Sequence, residues 1–97
     1  MIKFIIEDEK HAEPQGEYDS LDDAFIELVR RSKIAWDSEP NQCPCMSWKT
    51  CGRDYQILEY DISTKPYWTL LNSTPVLEVS AKGVNWESEF ESRAKNI

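Results

Sequence analysis

Histidine, glycine and basic residues are all scarce in this 97-residue chain. Three glycines, at positions 16, 52 and 83, exclude a glycine-rich loop that could cradle a phosphate. With His11 as the one histidine, no Ser-His-Asp arrangement can be argued. Eleven Lys and Arg stand against eighteen Asp and Glu, a net charge of −7. Phosphate-binding surfaces need clustered Lys and Arg, so nucleic acid and anionic membrane surfaces are poor partners. No apolar run approaches the ~20 residues that span a bilayer. No charged leader with an apolar core precedes the first strand-like run. The three cysteines are an odd number, which suits a reducing compartment. These features together lead us to expect a cytoplasmic protein.

The acidic residues are unevenly placed. Residues 1–30 hold nine acids (Glu7, Asp8, Glu9, Glu13, Glu17, Asp19, Asp22, Asp23, Glu27) against Lys3, Lys10 and Arg30, a net of −6. Such a surface suits a basic protein partner, although acid runs also keep small proteins soluble. Hydrophobic residues make up 40% of the chain, and four Trp, four Tyr and three Phe add to the core they can form.

The periodicities predict one small domain over residues 1–97. Met1–Glu7 alternates as a strand, with Ile2, Phe4 and Ile6 on one face; Ile5 breaks the alternation, which implies partial cover on the second face. Residues 8–16 have no period and contain Pro14 and Gly16, so a loop is expected. Ser20 can cap a helix whose first turn holds Asp22 and Asp23. Leu21, Ala24, Phe25, Leu28, Val29, Ser32 and Trp36 continue it as one apolar stripe, ending near Trp36 or Asp37. Residues 55–62, 67–72 and 76–81 read as three strands of a meander, and Asn85 can cap a short final helix. The expected fold is α+β in the order β-α-β-β-β-α: an antiparallel-rich sheet with two helices packed on one face. The first strand, joined through a helical crossover, could lie parallel to a neighbour.

All three cysteines fall in the stretch NQCPCMSWKTCGRDY, inside a segment, 37–52, that has no periodicity. Loops of that length tend to be functional. Cys43, Cys45, Cys51 and His11 could form a Cys3His zinc set, but gaps of one and five residues are unlike structural zinc motifs, and His11 is remote in sequence. Redox chemistry lacks a C-x-x-C pair, and a Cys–His nucleophile has His11 as its one possible base. The commoner role for such thiols is packing, with Met46 and Trp48 as anchors. Glu59 and Asp61 share a strand face, with Glu78 on a sister strand; an acid–base pair is conceivable there, a solvated face commoner. The four tryptophans suit a core better than a groove, whereas Tyr55 and Tyr67 suit a groove.

The reading that follows is a non-enzymatic protein-binding or accessory module, of inhibitor or immunity type, without a cofactor. It would use its acidic half or the 37–54 loop, with Cys45, Trp48, Cys51, Arg53 and Tyr55 as candidate binding residues. A zinc- or other metal-binding domain built on Cys43, Cys45, Cys51 and His11 is the alternative. A small thiol or carboxylate enzyme comes third.

Overall fold

The computed structural model describes residues 1–42 and 52–95. Five strands and two helices follow in the order β1 (Ile2–Asp8), β2 (Glu13–Tyr18), α1 (Leu21–Ser32), β3 (Gly52–Asp61), β4 (Thr69–Ser80), β5 (Gly83–Trp86) and α2 (Ser88–Lys95). The strands form one antiparallel sheet, ordered β2-β1-β3-β4-β5. The α+β class holds, as do both helices.

The core lies between the sheet and its helices. Ile6, Tyr55, Ile57, Leu77 and Val79 face Ala24, Phe25, Leu28 and Val29 of α1 and Phe90 of α2. The Phe25 ring centroid lies 5.8 Å from that of Trp86 and 5.5 Å from that of Phe90. Each such side chain contributes about 1.5–3 kcal/mol on burial. Ser20 caps α1 as expected, its Oγ accepting from the Asp23 amide at 3.0 Å. On the opposite face Ile5 pairs in register with Leu58, and both are buried. The second face is thus partly shielded, as Ile5 implied.

Five expectations are corrected. Residues 8–16 are not a loop: a single 3-10 turn at Glu9–His11 leads into β2. Pro14 and Gly16 hid this strand, yet proline is tolerated at an edge, and β2 is the edge. The strand parallel in direction to β3 is therefore β2, with β1 antiparallel between them. Residues 69–80 form one strand rather than two, because Pro75 sits beside a register shift where a missing N–H does no harm. Finally, α1 ends at Ser32, before Trp36, and Asn85 belongs to β5 rather than to a helix cap.

The early end of α1 has a clear cause. Asn41, fully enclosed, donates from Nδ2 to the carbonyls of Arg31 and Ile34, both at 2.9 Å. The Arg31 carbonyl near the helix end and the Ile34 carbonyl just beyond it thereby gain a side-chain donor where a further turn would have supplied amides.

Candidate functional site

The densest polar arrangement surrounds Asp8, at the end of β1. This carboxylate is fully buried and accepts four hydrogen bonds. Oδ1 takes the amides of Lys10 (3.2 Å) and Asp54 (3.0 Å). Oδ2 takes Arg53 Nη1 (3.0 Å) and faces His11 Nδ1 (2.5 Å). Local sequence explains the histidine. Asp8 caps the 3-10 turn, and Ala12 reverses the chain at φ 51°, so the turn folds His11 back over the carboxylate. Burial alone would raise the Asp8 pKa; the Asp54 amide, His11 and Arg53 outweigh it and hold the pKa below the usual carboxylate range.

Arg53 carries the cluster further. Its Nη2 donates to the Gln42 carbonyl at 2.8 Å, and Nη1 lies 3.3 Å from Glu13 Oε1. Gly52 before it admits no side chain: a Cβ there would stand 2.5 Å from the Val79 carbonyl oxygen. Next along the same face, the Tyr55 hydroxyl donates to Asn41 Oδ1 at 3.0 Å. The Arg31 guanidinium lies 5.3 Å from the Tyr55 ring centroid and bonds Glu27 and Gln15, each at 2.7 Å. Burial raises the Tyr55 pKa. One continuous polar layer thus ties β1, β2, α1 and β3 together at the point where residues 42 and 52 flank the cysteine stretch.

Of the candidate binding residues, Arg53 and Tyr55 are therefore internal, at 5% and 1% exposure. Any contribution they make to a contact surface is indirect. Cys43, Cys45, Trp48 and Cys51 lie outside the described residues. His11, distant in sequence, belongs to the same cluster as Gln42, the residue before Cys43. Among the described residues no group of three or more His, Cys, Asp or Glu could hold a metal. The carboxylates do not converge as expected either. Glu78 faces Asp54 across the β3–β4 ladder, while Glu59 faces Asn72 and Asp61 faces Thr69. Asp61 holds a turn, accepting from the amide and hydroxyl of Ser63 at 2.9 and 2.6 Å.

The acidic half of the chain is partly neutralised from within. Asp8, Glu13, Asp19, Asp22 and Glu27 each meet a cationic side chain: Arg53, Arg53, Lys3, Arg93, and the pair Arg30 and Arg31. An open depression of about 500 Å³ beside α1 is likewise occupied by the ion pairs Lys3–Asp19 and Arg30–Glu27.

The opposite end of β3 was caught by the sequence reading only at Tyr67. Tyr60 pairs with Leu70, and the Trp68 ring centroid lies 5.9 Å from that of Tyr60. Tyr67 is 82% exposed, Leu70 52%, Leu71 50% and Trp68 43%. Residues 62–77, which contain all four, form the longest stretch of the chain without an acid. The available signal was that gap in the acids together with the run YWTLL, in which the sequence reading set Tyr67 apart as a groove candidate but placed Trp68 with the core.

The fold and its surfaces define a small α+β protein with a buried ionic cluster at one end of its sheet and an apolar surface at the other. No helix among the described residues is long and apolar enough to cross a membrane. Comparison with protein-family models, with curated proteins and with solved structures returned no match.

Proposed function

We propose that this chain is a non-enzymatic protein-binding module that docks through the apolar surface at one end of its sheet. The observation that carries this reading is the exposure of Tyr67, Trp68, Leu70 and Leu71 together at one end of β4. Exposed apolar patches of a few hundred Å² mark interaction surfaces in soluble proteins. Tyrosine and tryptophan are also the residues that most often anchor protein interfaces. A basic partner drawn to residues 1–30 has less support, because five of the nine acids there have cationic partners within the chain. The test compares immobilised wild type with Trp68→Ser/Leu70→Lys. A bound protein retained by wild type and lost with the variant is expected. Identical capture by both, abolished instead by neutralising Asp22, Asp23 and Glu27, returns docking to the acidic half.

A second reading places a metal, zinc above all, on Cys43, Cys45, Cys51 and His11. The Asp8–His11 bond supports it. Metal-bound imidazoles characteristically donate their second N–H to a carboxylate, which fixes the ring. A metal taken up by this imidazole would have to use Nε2. Protein purified without chelator should then carry close to one zinc per chain, with His11→Gln lowering the occupancy. Less than about 0.2 zinc per chain by native mass spectrometry would remove this reading.

A further inference from the structure

We draw no further inference here: the strongest candidate, the exposed apolar patch formed by Tyr67, Trp68, Leu70 and Leu71 at the start of β4, belongs to the surface already described, and nothing in the structure shows what covers it.

Discussion

β3 begins with a guanidinium enclosed among carboxylates and ends beside a tryptophan in solvent. At Arg53 the polar groups are inside: Asp8, Arg53, Tyr55 and Asn41 are almost completely buried. At Tyr60 the apolar groups are outside, on Trp68, Leu70 and Tyr67. Buried charge and exposed hydrocarbon are the two departures from ordinary burial that carry information. Here they occur at the two ends of one ten-residue strand, the second on its neighbour β4 and the residues leading into it. The first end is occupied internally, since the Asp8 carboxylate has four donors and Arg53 spans three segments of chain. The second end pairs with β3 across a register shift at Leu71, and keeps hydrocarbon and a strand edge turned outwards. One end is closed by its own contacts; the other leaves apolar side chains exposed.

This contrast can be broken most forcefully at Arg53. Removing one member of a buried ion pair leaves the other charge uncompensated and costs about 3–5 kcal/mol. Arg53→Met should therefore lower unfolding free energy by that amount in urea titrations, whereas Leu71→Lys at the open end should change it by less than about 0.5 kcal/mol. Arg53 Nε is buried without a hydrogen-bond partner, a cost that offsets part of what the pair contributes. Asp8→Asn keeps an oxygen for the Lys10 and Asp54 amides while removing the charge that Arg53 balances. The double variant Asp8→Asn/Arg53→Met should then lose less than the sum of the single losses, by about 1–3 kcal/mol. Additive losses would mean that the two side chains stabilise the fold independently, and the account of the closed end would fail.

The sequence made α1 and the strand pairing of β3 with β4 legible, because each depends on local pattern. Ser20, the stripe from Ala24 to Val29, and the alternation around Ile57 all act within a few residues. What stayed hidden depends on contacts between distant positions. Asn41 reads as an ordinary turn residue until its amide is seen closing α1. His11 looks remote from the cysteines because the residue that links it to Gln42 is Arg53, 42 positions further along. The acidic run looked like one negative surface, since ion pairs such as Asp22–Arg93 join opposite ends of the chain. Trp68 looked like core because apolar character marks a strand face without saying whether anything lies against it.

A smaller effect sharpens the same contrast through pH. Asp8 has a folded-state pKa below its unfolded value, so the unfolded chain binds a proton first as the solution is acidified. Its contribution is complete above the ordinary carboxylate pKa, about 4, and is lost as pH falls from there through the lower folded value. Glu27, held down by Arg30 and Arg31, and Asp61, held down by Ser63, act in the same direction. Asp54 acts in the opposite one: burial and the facing Glu78 raise its pKa, so its protonation favours the folded state. Asp8→Asn should be less stable than wild type at pH 7, and the two stability curves should converge as pH falls below about 4. Asp54→Asn should instead steepen the acid decline, since it removes a proton uptake that the folded state prefers. Chemical unfolding at intervals between pH 7 and about 3 measures both. Parallel curves for wild type and Asp8→Asn would mean that the Asp8 charge does not stabilise the fold. The buried end would then owe its order to the apolar packing of Ile6, Tyr55 and Leu77 around it, and the distinction between the two ends of β3 would be one of exposure alone.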